Sequence, residues 1–174
     1  ETGEMGPIYG NQWVNWDGKG INQLQNVIDT LKTNPDDRRM IVSAWNPDKI
    51  DQMALPPCHW SFQFYSVLMP GEKKRRLSLK MNIRSWDVFV GGPYNIGEYA
   101  ALLYMVAKEV DMVPQDLLIS AGDAHIYEDH LEYVVKQLNR ESTPLEEPKL
   151  KLPNKGFWEF EKDDFKFINY DPQK

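Results

Sequence analysis

Trp60-Ser-Phe-Gln-Phe-Tyr-Ser-Val-Leu68, then Pro70-Gly71-Glu72-Lys73-Lys74-Arg75-Arg76, then Leu77-Ser-Leu-Lys-Met-Asn-Ile83, read as two strands joined by a tight tip. The first run is rich in aromatic and apolar residues, and the second alternates enough to be its antiparallel partner. Pro-Gly supplies the turn, and the charge run after it reads as a solvated loop in preference to a binding patch. Upstream, Ile21, Leu24, Val27, Ile28 and Leu31 recur at helical spacing, so Gly20 to Lys32 is expected to be an amphipathic helix ending before Asn34-Pro35. Met40 to Trp45 follows as a mostly buried strand. Downstream, Ile96 to Val110 has the length and spacing of a central helix, Asp116 to Ser120 of a strand, and Glu128 to Asn139 of a second helix. From Ser142 onward the chain is Pro-rich and polar, with short strand-like pieces at Leu150 to Leu152 and Phe165 to Ile168. Strands interleaved with two or three helices predict an α+β fold, a mixed or antiparallel sheet packed on a long buried helix, in one domain over residues 1–174.

Composition narrows the function. Lys and Arg number 20 against 26 Asp and Glu, a net charge of 20 − 26 = −6, which argues against a broad basic surface for a nucleic acid polymer. A small anionic ligand needs only a few Arg or backbone N–H donors and stays open. Cys58 is the only cysteine, so no intramolecular disulfide forms, and a reducing compartment is favoured. No run approaches eighteen apolar residues and no signal pattern is visible, so the expectation is a soluble cytoplasmic protein without a membrane segment. The chain starts at Glu1 without an initiator Met, which suggests part of a longer protein.

Several residues could carry chemistry. A lone cysteine beside a strand is ordinarily structural. Pro56-Pro57 before Cys58, His59 after it, and Arg-bearing segments at Arg38-Arg39, Arg84 and Arg140 raise the alternative, a nucleophilic thiolate. Arg38-Arg39 is either a solvated turn or a bidentate clamp for a phosphate dianion. Arg84, at the end of an apolar strand, needs either an anion or an internal salt bridge. His125 and Tyr127, two apart at a strand end, would point to one side, where they could meet a sugar hydroxyl or make two structural hydrogen bonds.

Gly6-Pro-Ile-Tyr-Gly10, Asp37-Arg-Arg39, Ser43-Ala-Trp-Asn46, Met53-Ala-Leu-Pro-Pro-Cys-His59, Arg84-Ser85 with Asp87, Gly91 followed by Pro93-Tyr-Asn-Ile96, and Gly122-Asp-Ala-His-Ile-Tyr127 occur in that order. Together they resemble the thymidylate synthase family, and Asn169-Tyr-Asp-Pro172 resembles its near-terminal segment. The resemblance implies a synthase-like fold whose sheet face forms a homodimer interface. It makes Cys58 the nucleophile that adds to carbon 6 of dUMP, with methylenetetrahydrofolate as co-substrate and no metal. It gives the phosphate of the same subunit's nucleotide to Arg84 and Ser85, with Arg84 also favouring the thiolate, and the partner's phosphate to Arg38 and Arg39. Asn95 would read the pyrimidine edge, and His125 and Tyr127 the deoxyribose hydroxyl. Asp87 would contact the folate ring and position the nucleotide, Leu55 would border the folate, and Tyr9 and His59 would join the proton-transfer network. The chain would be the C-terminal two-thirds of the catalytic domain.

Departures from the family pattern are Asn82-Ile83 where Tyr-Gln is usual, Trp86 in place of a small residue, and Gly92 where Leu or Val is common. Asn-Ile-Arg-Ser also resembles the viral pyrimidine hydroxymethylases, which keep the covalent adduct but add water in place of hydride to dUMP or dCMP. That is the alternative reading. A structural or RNA-binding role leaves the combination of Cys58 with Arg84, Asn95, His125 and Tyr127 unexplained.

Overall fold

The computed structural model describes residues 3–141 and 147–171. The beginning of the tail expected from Ser142, and Pro172 of the near-terminal string, lie outside the described residues. The chain divides into two compact units, Glu1–His125 and Ile126–Lys174.

In the first unit, helices α1 (Gly10–Val14), α2 (Gln23–Thr33) and α3 (Gly91–Glu109) accompany strands β1 (Ile41–Ser43), β2 (His59–Val67), β3 (Arg76–Asp87) and β4 (Val113–His125). The four strands form one sheet in chain order. β1 with β2 and β2 with β3 are antiparallel, as the Pro-Gly tip requires, whereas β3 and β4 are parallel. A parallel pair needs a crossover, and α3 is that crossover. The fold is therefore α+β with a mixed sheet.

α2 starts at Asn22, whose side chain accepts from Gln25 N–H, a cap that the apolar spacing alone placed two residues early. Its stripe of Leu24, Val27, Ile28 and Leu31 is buried, as are Met40, Val42 and Ala44 around β1. β2 and β3 put Phe62, Phe64, Leu77, Leu79, Met81 and Ile83 into the same core, with Phe62 opposite Met81 and Phe64 opposite Leu79. Each such side chain contributes about 1.5–3 kcal/mol on leaving water. The opposite face of the sheet carries Ile41, Trp60, Tyr65, Lys80 and Arg84 in the open.

Three expectations need correction. The central helix begins at Gly91, five residues earlier than expected, because Gly-Gly-Pro falls in its first turn, where the missing proline N–H costs nothing. It is also not buried all round: Tyr99, Leu103, Val106 and Ala107 face the core while Tyr94, Ile96 and Tyr104 are exposed. The strand expected over Asp116 to Ser120 runs the full length of β4, since parallel pairing with β3 holds Val113 and His125 as well.

The charge run at the β2–β3 tip is a solvated loop whose charges are matched locally. Lys74 pairs with Asp111, Arg75 with Asp36, and Arg76 with Glu72. Such exposed pairs contribute little to stability, but they leave no concentrated positive field there.

In the second unit a 3₁₀ turn at Glu128–His130 leads into α4 (Leu131–Leu138), in place of one helix from Glu128 to Asn139. Its apolar residues Leu131, Val135 and Leu138 are all exposed. β5 (Lys149–Lys151) and β6 (Lys166–Ile168) pair as a small antiparallel ribbon close to the two strand-like pieces of the tail. Among the described residues no helix is long and apolar enough to cross a membrane.

Candidate active site

Cys58 directly precedes β2 and is half-buried. Its approach is held from β3. The Arg84 guanidinium donates from Nε to the Pro57 carbonyl at 3.0 Å and from Nη2 to the Pro56 carbonyl at 2.8 Å, while Arg84 N–H donates to the Cys58 carbonyl at 2.8 Å. Of the two partners the sequence offered Arg84, the internal salt bridge is not formed among the described residues. Among the described residues no carboxylate lies within ion-pair distance, and two backbone carbonyls freed by the Pro-Pro kink accept instead. The guanidinium carbon lies 6.0 Å from the centre of the Trp45 ring. With Trp45 and Trp60 it lines a cavity of about 300 Å³ on the open face of the sheet. Close approach of β4 here depends on Gly122, where a Cβ would come within 2.9 Å of the Arg84 carbonyl.

Tyr9 reaches Cys58 from the other side. Gly6 at φ +73° lies against the Gln52 carbonyl so tightly that a Cβ would come within 2.1 Å of it, and Ala54 N–H donates to the Met5 carbonyl. This seam pins the N-terminal segment beside the Pro-Pro-Cys turn. Tyr9 itself adopts φ 37°, a left-handed conformation that side chains disfavour. Its hydroxyl accepts from Cys58 N–H at 3.0 Å and also meets the Cys58 side chain. Burial, more than any charge, raises the Tyr9 pKa.

His59 is buried by a β-bulge. His59 opposes Ile83 and Ser61 opposes Asn82, so Trp60 is the extra residue. The bulge turns His59 and Phe62 to the same side and leaves Trp60 outside. Ser61 is also buried, and its hydroxyl accepts from Asn82 Nδ2 at 3.0 Å. The His59 ring stacks on Tyr9 with centroids 4.1 Å apart and hydrogen-bonds through Nδ1 to the Tyr99 hydroxyl at 2.7 Å. Desolvation pulls its pKa down to about 4, so the imidazole is neutral near pH 7. Tyr99 packs edge-on against it and Trp13 lies tilted to it, while Trp13 and Tyr99 each meet Phe62 edge-on.

Asp87, at the end of β3, accepts the Phe89 and Val90 N–H groups on Oδ1 and so shapes the entry to α3. Asn95 stands one turn into that helix. A Cβ on Gly91 would lie 3.6 Å from Asp87 Cβ and 3.7 Å from Asn95 Oδ1, which makes Asp87, Gly91 and Asn95 immediate neighbours. Leu55, Val88 and Val90 are exposed apolar side chains. Ser85 is half-buried beside Arg84 and pairs in register with Asp123. His125 ends β4, with Nδ1 3.6 Å from Asp123 Oδ1 and its carbonyl accepting Val88 N–H at 3.0 Å. The strand stops there. Tyr127 belongs to the second unit, where it packs on His130, so strand alternation does not place it with His125.

Arg38 and Arg39 are exposed and line a separate cavity of about 400 Å³ with Asn34, Asp36 and Asp37. Arg39 is clamped on Asp37, Nε to Oδ1 at 3.0 Å and Nη2 to Oδ2 at 2.6 Å, which holds the Asp37 carboxyl down at about 2. Neither guanidinium contacts Cys58 or Arg84 among the described residues.

The structure therefore joins Cys58, Tyr9, His59 and Arg84 directly, sets Asp87 beside Asn95, and leaves Arg38 and Arg39 apart. Sequence reasoning missed Tyr99 and the Pro56 and Pro57 carbonyls. Tyr99 had a signal, since it follows Asn95 by four on one helix; the carbonyls had none. No group of three or more His, Cys, Asp or Glu side chains that could hold a metal ion occurs among the described residues.

A family model described as thymidylate synthase matches residues 1–174. A curated protein named thymidylate synthase from Corynebacterium aurimucosum is 46% identical over 176 residues, covering 99% of this chain. The chain spans 63% of that relative's length.

Proposed function

The chain belongs to the thymidylate synthase family, and on that premise we propose that it serves folate-dependent one-carbon transfer to carbon 5 of dUMP, giving dTMP. The observation that carries the reading is the single half-buried thiol, held between the Arg84 clamp on its preceding turn and the Tyr9 hydroxyl. In this reading the Cys58 thiolate adds to carbon 6, the displaced electron pair moves onto oxygen 4, and carbon 5 becomes nucleophilic. Splitting one high barrier into lower ones is what covalent catalysis offers an unactivated pyrimidine.

Arg84 and Ser85 take the nucleotide phosphate, and Asn95, whose amide both donates and accepts, matches the N3–H and O4 edge of uracil. Neutral His59, stacked on Tyr9 and hydrogen-bonded to Tyr99, orients a network that can relay a proton at carbon 5. His125 takes the deoxyribose hydroxyl. Methylenetetrahydrofolate supplies the one-carbon unit and the hydride. Exposed Leu55, Val88 and Val90 offer an apolar flank for its ring, and Asp87, with Oδ2 unpartnered among the described residues, offers a polar contact. A homodimer through the open sheet face is part of the proposal, with Arg38 and Arg39 reaching the partner's phosphate. So is a cytoplasmic location, in keeping with the lone thiol. The name of the 46%-identical relative favours the synthase over the hydroxymethylase.

Incubation with 5-fluoro-dUMP and methylenetetrahydrofolate, followed by intact mass, is expected to show one covalent adduct that Cys58→Ser lacks. A wild-type protein without adduct would overturn the reading. With dUMP, dihydrofolate and dTMP are the expected products; tetrahydrofolate with a hydroxymethylated nucleotide would replace it by the alternative.

A further inference from the structure

The one buried residue of α1 is polar. Gln12 has no exposed surface, and both ends of its amide are used. Nε2 donates to the Pro7 carbonyl at 2.8 Å, while Oε1 accepts from Asn46 Nδ2 at 3.1 Å and, at 3.4 Å, from Asp17 N–H. A carbonyl can only accept and a backbone N–H can only donate, so these partners fix which way the amide points. The Gln12 carbonyl in turn accepts from Gln23 Nε2 at 2.8 Å, and Gln23 closes on β1 through the carbonyl and N–H of Ser43. Five residues are too few for a helix to persist on its own. This amide cluster holds α1, together with Trp13 set edge-on against Phe62. Of the two side-chain anchors on the helix, Gln12 is the one that also reaches back ahead of it. Pro7 stands two residues before Tyr9, and Asn46 directly follows Trp45 of the cavity wall.

We propose that Gln12 is a positioning residue for the Tyr9–Cys58 contact, its buried amide fixing the turn from Pro7 to Gly10 so that the Tyr9 hydroxyl stays on the Cys58 N–H. The inference deepens the proposed function and rests on it for the reaction concerned. Tyr9 caps α1 at φ 37°, and a disfavoured conformation of this kind persists only where the surroundings over-determine it. Here the chain is fixed on both sides of Tyr9, by Gly6 against the Gln52 carbonyl and by Gln12 bonded back to Pro7. Without the Gln12 amide the turn is free to relax, and the hydroxyl moves off the thiol's backbone. The Arg84 clamp would then hold the Pro-Pro-Cys turn from one side alone. A displacement of about 1 Å can cost about a hundredfold in rate even when its source is remote from the reacting atoms.

Cys58 is the only cysteine, so protein grown on cysteine labelled with heavy nitrogen gives a single amide signal, that of the N–H on Tyr9. Its hydrogen–deuterium exchange by NMR reads the contact directly and needs no nucleotide. Phenylalanine labelled in the same sample adds a core control, the Phe64 N–H on the Met40 carbonyl. Gln12→Met is expected to speed Cys58 exchange about five- to tenfold, the weight of one hydrogen bond, and to leave Phe64 unchanged. Tyr9→Phe, which keeps the ring and removes the acceptor, should do the same, and Gln12→Met should add nothing in that background. Gln12→Asn, one methylene too short to span Pro7 and Asn46, should act in the same direction, and it carries the test if Gln12→Met does not fold. Unchanged Cys58 exchange would overturn the inference. So would equal acceleration at Cys58 and Phe64, the mark of lost stability alone, or an undiminished effect of Gln12→Met on top of Tyr9→Phe. Adduct formation with 5-fluoro-dUMP should slow alike in Gln12→Met and Tyr9→Phe, and no further in the double variant. A wild type that takes no 5-fluoro-dUMP would count against the proposed function alone, and amide exchange would still decide on Gln12.

Discussion

Burial of His59 ties stability to pH in a direction opposite to that of a histidine in a salt bridge. The folded-state pKa near 4 lies below the ordinary 6.5, so between those values the unfolded chain binds a proton that the native chain does not. Native stability is then complete above about pH 6.5 and falls as the pH drops toward 4, with a slope of at most about 1.4 kcal/mol per pH unit. Urea titrations across that range are expected to show the slope in wild type and its loss in His59→Gln. An equal slope in the variant would place the effect on the carboxylates. A second residue-scale relation links two departures from the family pattern. A Cβ on Gly92 would meet the Trp86 indole at 3.5–3.6 Å, so the large residue at 86 occupies the room that the absent side chain at 92 leaves. Gly92→Leu is expected to cost about 1–3 kcal/mol by overpacking, and Trp86→Ala about 2–4 kcal/mol by leaving a void. The double substitution should lose less than the sum by at least about 1 kcal/mol in a denaturation cycle; additive losses would dissolve the pairing.

At the scale of the elements, the hairpin was legible because Pro70-Gly71 forces the chain back and because Leu77, Leu79, Met81 and Ile83 alternate toward one face. The bulge at Trp60 was not legible: a strand of aromatic residues looks equally good in either phase, and only pairing with β3 shows that His59 and Phe62 share a side. The same limit hid the start of α3, where Gly91-Gly92-Pro93 reads as a loop by composition but occupies a first turn that tolerates it. Cys58, Arg84 and Asn95 could be named from their strings, yet the contact that joins Arg84 to the thiol's turn runs through backbone carbonyls, which no side-chain pattern encodes. That contact sits against β4 at Gly122. Gly122→Ala should push β4 away from the Arg84 carbonyl, because a Cβ at 2.9 Å from backbone cannot be relieved by rotating a side chain. A loss of about 1–3 kcal/mol is expected in urea denaturation, together with slower adduct formation at Cys58. Unchanged stability would mean that the two strands have slack there.

For the whole molecule, the distribution of charge and apolar surface bears on assembly. Three of the tip's four cations are matched to carboxylates, so the tip offers no concentrated binding patch. The open sheet face instead carries Trp45, Trp60 and Tyr65 with Arg84 among them, the composition of an interface centre in which aromatic residues and Arg are enriched. Arg38 and Arg39, away from Cys58 in their own chain, become meaningful if two copies pair through that face and each lends its doublet to the other. A twofold dimer makes this testable without a structure of the pair. Cys58→Ser subunits cannot form the fluoronucleotide adduct, and subunits with Arg38→Ala and Arg39→Ala should form it poorly for want of the lent cations. Unfolded and refolded together in equal amounts, half of the dimers would be mixed, and each mixed dimer would hold one complete site, its thiol from one subunit and its arginines from the other. Adduct should then recover to about a quarter of the wild-type yield, the share set by random pairing under twofold symmetry. Recovery no greater than the two variants give separately would mean that the doublet serves its own chain, or no site at all.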